Sequence, residues 1–416
     1  MPESFCARLL ASQKSTIERK PRMTHTFVKP ATLLGHLCLA LALCCQTALA
    51  ENKVEDSQSL PQTDLFVSGE GGYNSYRIPA LAVTKSGTLL AFCEGRKDSL
   101  SDAGNIDLLL RRSTDGGQTW SPMQVIWDDG SNTCGNPCVV VDQETGVIWL
   151  LSTWNLGSDH EGQIINGKSK DTRRVYVLSS EDDGKTWSAA QEVTDTTKKK
   201  NWAWYATGPG CGIQLEHGPH KGRLVIPCDH IEAGTKGYYS HVIYSDDHGK
   251  TWQLGGRTPK AQVNECEVVE LTGGKMMLCM RNYDRSIKAR QTAISEDGGA
   301  TWTDQKIDPE LVEPRCQASI RRLRWPSAEQ SGVLLFLNPA HPDKREAMTI
   351  LASEDEGETW PLAMPIYDGS SAYSCLCIFD SPAGQPQIGC FYERDNYRKI
   401  TFTHFDWETL VKEARE

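Results

Sequence analysis

Short runs of hydrophobic residues, five to nine long and broken by turn-forming residues, recur along the chain from residue 63 onward. YRIPALAVT (76–84), TLLAFCEG (88–95), IDLLLRRS (106–113) and MQVIWD (123–128) form a first group of four, rich in β-branched and aromatic residues. Such runs predict strands, and the Gly, Asp and Ser between them predict turns. The scheme repeats as CVVVD, VIWLLSTW, RRVYVLS and QEV over 138–193, then as GIQLE, RLVIPCD and YSHVIYS over 212–245. CEVVEL, KMMLCMR and ARQTAIS follow over 266–295. No stretch has the 3.6-residue period of a long amphipathic helix.

The turn between the third and fourth strand of each group carries one phrase, S-x-D-x-G-x-T-W. It begins at Ser113, Ser180, Ser245, Ser295 and Ser353. In a tight hairpin the Asp can accept from backbone N–H groups, the Gly supplies a positive φ, and the Trp can pack on a neighbouring unit. A calcium loop of the EF-hand kind needs further acidic positions that these phrases lack in register. Self-similarity of this size predicts one sheet per repeat arranged in a ring. After Trp360 come PLAMPIYD, AYSCLCIFD, PQIGCFYE and KITFTHF; the first completes a fifth sheet and the others leave a sixth sheet one strand short. TDLFVS (63–68) is the strand available to complete it. The expectation is therefore an all-β, six-bladed β-propeller of four-stranded antiparallel sheets, closed on itself so that no sheet edge is left open.

In such a blade the start of strand one, the end of strand two and the two–three loop share one face, and the three–four turn lies on the other. The phrases are thus scaffold. The first face is predicted to collect Arg77 (YRIP), Asp102 (in EGRKDSLSDAGN), Glu265 (NECEVVEL), Arg281 (LCMRNY), Arg345 (NPAHPDKREAM) and Tyr373 (SSAYSCL), drawn from four blades. Each alone reads as a surface charge or a packing aromatic; converging on the mouth of one channel, they read as a site.

Composition adds a compartment. Residues 31–50, ATLLGHLCLALALCCQTALA, are apolar, follow Lys29 and end in Ala-Leu-Ala, so residues 1–50 are expected to be a cleaved signal peptide, with Met23 a possible true start and maturation near Glu51. Residues 51–416 then form a single domain that is secreted or periplasmic, without stable membrane insertion. Removing residues 1–50, with six Lys/Arg and two Asp/Glu, from 44 basic and 54 acidic residues leaves a net charge of about −14. That excludes a nucleic-acid partner, and KKK at 198–200 reads as a solvated loop. Eleven of the fifteen Cys remain after cleavage. Those in apolar runs are expected to act as small buried hydrophobes; Cys134 and Cys138 could bridge. No Cys/His set has zinc spacing.

YRIP with the repeated S-x-D-x-G-x-T-W, and AFCEGR…SDAG, GNPCVVVD, ATGPGCGIQL, NECEVVEL and AYSCL, resemble the sialidase (neuraminidase) family of retaining exo-α-sialidases across nearly the whole chain after residue 50. One departure is Cys375, where many members read Y-S-D. The resemblance implies that Arg77, Arg281 and Arg345 bind the substrate carboxylate, with Arg96 assisting. It also implies that Asp102 is the acid/base, Tyr373 the nucleophile and Glu265 the base that activates it, with no cofactor or metal. The acid role requires the Asp102 pKa to be raised. Trp154, Trp202 and Trp204 are candidates for an N-acetyl pocket, although aromatics in a propeller more often pack between blades. The activity implied is hydrolysis of terminal α-linked sialic acids from glycoproteins, glycolipids or oligosaccharides by a monomer. Trans-sialylation, an anhydro product, another 2-keto sugar acid (Kdn or Kdo), or a non-catalytic acidic-sugar-binding propeller are the alternatives.

Overall fold

The computed structural model describes residues 60–415; the expected signal peptide lies outside the described residues. Six antiparallel sheets follow one another along the chain. Blade one is Ser75–Val83, Leu89–Arg96, Ile106–Ser113 and Gln124–Trp127. Blade two is Thr133–Val141, Ile148–Asn155, Arg174–Ser180 and Gln191–Glu192. Blade four runs from Val263–Glu270 to Thr303–Val312. One long strand, Leu362–Asp380, ends blade five and then opens blade six. Thr63–Val67 pairs with Lys399–Phe405 and completes blade six from the other end of the chain. The ring of six blades is the expected propeller.

Burial follows from this order. First strands such as Ser75–Val83 and Val263–Glu270 are buried almost throughout, while the fourth strand of blade two, Gln191–Glu192, is exposed. The apolar clusters lie between blades: Phe379, Phe391 and Phe402 of blade six pack with Leu90, Phe92 and Leu110 of blade one, and Val225 and Val242 of blade three pack with Leu278 and Trp302 of blade four. All eleven described cysteines are free and buried, including Cys134 and Cys138 on one strand. Removing such side chains from water contributes about 25 cal/mol per Å² of apolar surface.

The five phrases build the same turn. In the second, Thr186 donates its backbone N–H to Asp182 Oδ1 at 2.8 Å and its hydroxyl to Oδ2 at 2.5 Å, and Gly184 N–H donates to Ser180 Oγ at 2.9 Å. Gly249 shows why the fifth position is Gly: its φ is +86°, and a Cβ there would lie 2.1 Å from the Trp149 ring of the preceding blade. The preceding position also has positive φ, and in the second and third turns its side chain clasps the earlier blade. Asp183 accepts from Ser86 and Thr88, and His248 pairs with Asp142 at 2.8 Å. Trp120 meets Phe402 edge-on at 5.2 Å and Trp187 meets Phe92 at 5.7 Å, each across a blade boundary.

Two expectations need correction. Blade three does not begin at GIQLE: its inner strand starts at Trp202–Thr207, which pairs with Leu224–Glu232. The chain then breaks at Gly208-Pro209, and only Ile213–Gln214 rejoins the same neighbour. Lys198 is not a solvated residue either, because its ammonium donates to Thr172 Oγ1 and to the Arg173 and Ala203 carbonyls. Among the described residues, three short α-helices, Glu161–Ile165, Thr194–Thr197 and Trp407–Glu413, are inserted in loops or follow the last strand. Among the described residues, no helix is long and apolar enough to cross a membrane.

Candidate active site

The inner strands lose regular register where they reach the first face. Irregularities fall between Arg77 and Ala80, Gly135 and Cys138, Val263 and Cys266, and Ser371 and Ser374. A bulge turns a side chain out of the ladder and recurs next to sites for that reason. Here the bulges carry or adjoin Arg77, Glu265 and Tyr373. Ile78 has a φ of +62°, an outlier for a β-branched residue, held by its N–H donating to Glu393 Oε1 at 2.8 Å.

Tyr373 is the hub. Its hydroxyl donates to Glu265 Oε1 at 2.6 Å and accepts from Arg281 Nη1 at 3.0 Å, and the same Nη1 donates to Glu265 Oε2 at 2.5 Å. The Arg77 and Arg345 guanidinium carbons lie 5.3 and 5.5 Å from its ring centroid. Burial and the neighbouring Glu265 push the phenol well above its ordinary pKa, and Arg281 and Arg345 only partly oppose them. The phenol is therefore neutral at rest, with a carboxylate oxygen already in place to receive its proton.

The cations are held differently from one another. Arg77 forks onto Glu393, whose side chain is fully buried, at 2.6 and 3.3 Å. Glu393 also accepts the Tyr373 N–H at 3.2 Å, so one carboxylate ties Arg77 to the strand of the tyrosine. Arg96 spans Glu94 at 2.7 Å and Asp102 at 2.8 Å. Arg345 donates to the Tyr397 hydroxyl and the Arg315 carbonyl, both at 3.1 Å. Among the described residues it has no carboxylate partner, which leaves its charge to an incoming anion. Asp102 projects from the blade-one loop with 69 % of its side chain exposed. The surrounding protein partly desolvates the carboxyl and so acts to raise its pKa, but Arg96 and Arg77 outweigh this and hold it below the ordinary range. The expected upward shift is thus reversed because Arg96 points at Asp102, a pairing the sequence does not disclose.

All seven predicted residues reach this one face, and the structure adds several more. Glu94 and Glu393 stand at the ends of second strands in blades one and six, the rule that located Arg281, so the sequence carried that signal. Arg173 is buried beside Trp204 (4.0 Å) and bonded to Asn155, Asn136 and Thr153, and burial lowers its pKa to about 10. Asp229 is buried with Asn264 donating to it at 2.6 Å, and burial holds its carboxyl well above the ordinary range. Asp229 ends the run RLVIPCD as Arg281 ends KMMLCMR, so the same rule applies to it, whereas Arg173 lies just before a third strand. Trp202 is not a pocket residue; it is buried against His230 and Tyr205.

The protein-family model described as BNR repeat-like domain matches residues 87–385. The chain is 30 % identical to Sialidase-2 of Cricetulus griseus, over 83 % of this chain and 95 % of that one. The chain belongs to the sialidase family. It is also 37 % identical to a sialidase of Micromonospora viridifaciens over 76 % of this chain, spanning 50 % of that relative's length. The solved structure of the Hadza microbial sialidase Hz136 superposes with a TM-score of 0.75 at 32 % identity, covering 84 % of this chain and 69 % of that one. These sialidases match the propeller that carries the cluster around Tyr373.

Proposed function

We propose that this sialidase-family chain is an exo-α-sialidase that hydrolyses terminal α-linked sialic acids on glycoproteins, glycolipids or oligosaccharides with retention. The observation that carries the reading is the Tyr373 hydroxyl bonded to Glu265 and Arg281 with Arg77 and Arg345 beside its ring. Guanidinium forks bind carboxylates bidentately and stay charged, which suits a sugar whose carboxylate sits on the anomeric carbon. An anionic nucleophile would be repelled by that carboxylate; a neutral phenol is not. Glu265 takes the phenolic proton as Tyr373 attacks, and a tyrosyl-glycoside forms with loss of the aglycone. Asp102, at the exposed lip, donates a proton to the leaving oxygen and then takes one from the water that releases the sugar. On the same reading residues 1–50 are removed on export, and the propeller acts as a monomer in the periplasm or outside the cell.

The test is turnover of a fluorogenic α-sialoside by the protein, with NMR of the first-released anomer. Wild type is expected to release the α-anomer, Tyr373→Phe to fall to background, and Glu265→Gln to lose roughly 10²–10⁴-fold in kcat. Equal turnover by wild type and Tyr373→Phe would remove the tyrosine from its role. A first-released β-anomer would remove retention.

A further inference from the structure

The central channel is open on the face opposite Tyr373. A cavity of about 650 Å³ lies there between the ends of the first strands, lined by Leu81, Cys211, Arg321 and Cys377 among others. At its inner end Cys211 Sγ lies 3.5 Å from Cys375 Sγ. The two sulfurs come from distant parts of the ring. Cys211 belongs to the two-residue strand Gly210–Cys211, which pairs with blade two in the break between the two parts of blade three's inner strand; Cys375 is in the first strand of blade six. Both hang on the backbone of one residue: Cys211 Sγ donates to the Leu81 carbonyl at 2.6 Å, and Leu81 N–H donates to Cys375 Sγ at 3.2 Å. Glu267 adds a second tie, accepting from Cys211 N–H at 3.2 Å with Oε1, the oxygen that lies 3.9 Å from Cys375 Sγ. The Arg321 guanidinium lies 3.5 Å from the other oxygen of that carboxylate.

Two thiols at van der Waals distance, on fixed strands, at the end of a solvent-sized channel are arranged to react with each other. We propose that Cys211 and Cys375 are a redox site that a small hydroperoxide entering from the face that carries the S-x-D-x-G-x-T-W turns converts to a disulfide. Cys211 is the attacking sulfur, because it lines the cavity while Cys375 is fully buried behind it. Its sulfur attacks the peroxide O–O bond, giving a sulfenic acid and, with hydrogen peroxide, one water. The Cys375 sulfur then displaces the sulfenic oxygen, which leaves as a second water. In sum two thiols and one peroxide give one disulfide and two waters; each sulfur loses one electron and the peroxide oxygens are reduced. The bond would tie the strand of Tyr373, two residues from Cys375, to the break in the inner strand of blade three.

The experiment treats the folded full-length chain with hydrogen peroxide, unfolds it in excess alkylating reagent and analyses the digest by mass spectrometry. The expected result is a Cys211–Cys375 linked peptide pair that a thiol reductant separates, with loss of those two alkylated thiols. In Cys375→Ser, a dione probe is expected to capture Cys211 as its sulfenic acid. Wild-type protein oxidised after unfolding is expected to show no preference for this pair. Recovery of both peptides alkylated and unlinked from oxidised folded protein, or either cysteine joined to a different partner, would overturn the proposal. So would an equal yield of the link from unfolded chain. The wild-type arms decide the matter even if the variant does not fold.

Discussion

At Asp102 two requirements meet in one carboxyl group. As the proposed acid it must carry a proton when the glycosidic oxygen leaves, yet in the open site Arg96 at 2.8 Å holds it ionised. A group whose acid form is the active one loses activity as pH rises through its pKa, and kcat/KM reports that pKa in the free enzyme. Removing a cation raises a carboxyl pKa. Arg96→Gln is therefore expected to move the falling limb of the kcat/KM profile to higher pH, while Tyr373 and Glu265 stay in place. A pH–rate profile of the variant against wild type on a sialoside checks this. A limb unmoved would mean that Asp102 is not the group reporting there. Arg77 is governed by the opposite logic, since the fully buried Glu393 neutralises it, and breaking such a pair leaves an uncompensated charge.

The repeated turn is a stability device whose energetics lie in short hydrogen bonds. The hydroxyl and N–H of Thr186 are the main reason the Asp182 carboxyl falls to about 2, and Asp115 behaves the same way with Thr119. A folded-state pKa below the ordinary 3.8 contributes stability that is present above that value and is lost as pH falls through the folded one. The thermal midpoint of wild type is expected to drop between pH 3.8 and about 2. Asp182→Asn, which cannot titrate, should start lower at neutral pH and lose less across that window. The comparison needs only thermal melts at several pH values; equal slopes in both proteins would mean that this turn does not report acid stability. This element was legible in the sequence because the hydrogen bonds that shape the turn lie within eight residues. The inner strand of blade three was not. Its ladder is interrupted at Gly208-Pro209, and only the short tail after the break has the look of the other strands.

The ring is closed by residues near opposite ends of the described chain. Thr63–Val67 supplies the last strand of a sheet whose other three strands lie beyond residue 370. Without it Lys399–Phe405 becomes an open edge, a template for pairing with another chain, and Leu65 and Phe66 leave the cluster shared with blade one. A variant lacking residues 63–67 is expected to associate and to melt at lower temperature, read by light scattering during size exclusion and by calorimetry. A monomer with an unchanged midpoint would show that the closure carries no stability. The same closure positions the site, because Arg77 belongs to the first blade while Glu393 and Tyr373 belong to the last.

By itself the sequence determined the blade count, the turns, the closing strand and which residues share a face, because alternation, turn chemistry and antiparallel topology are local or combinatorial properties. It also carried the seven side chains that the face collects. Only the tertiary structure decided their partners: that Arg96 faces Asp102, that Glu393 holds Arg77, that Arg345 keeps its charge free, and that Cys211 meets Cys375 across the channel. Those pairings span up to 316 residues and depend on bulges that turn individual side chains by amounts no periodicity encodes. Their electrostatics follow from distance and burial, which exist only once the ring has closed.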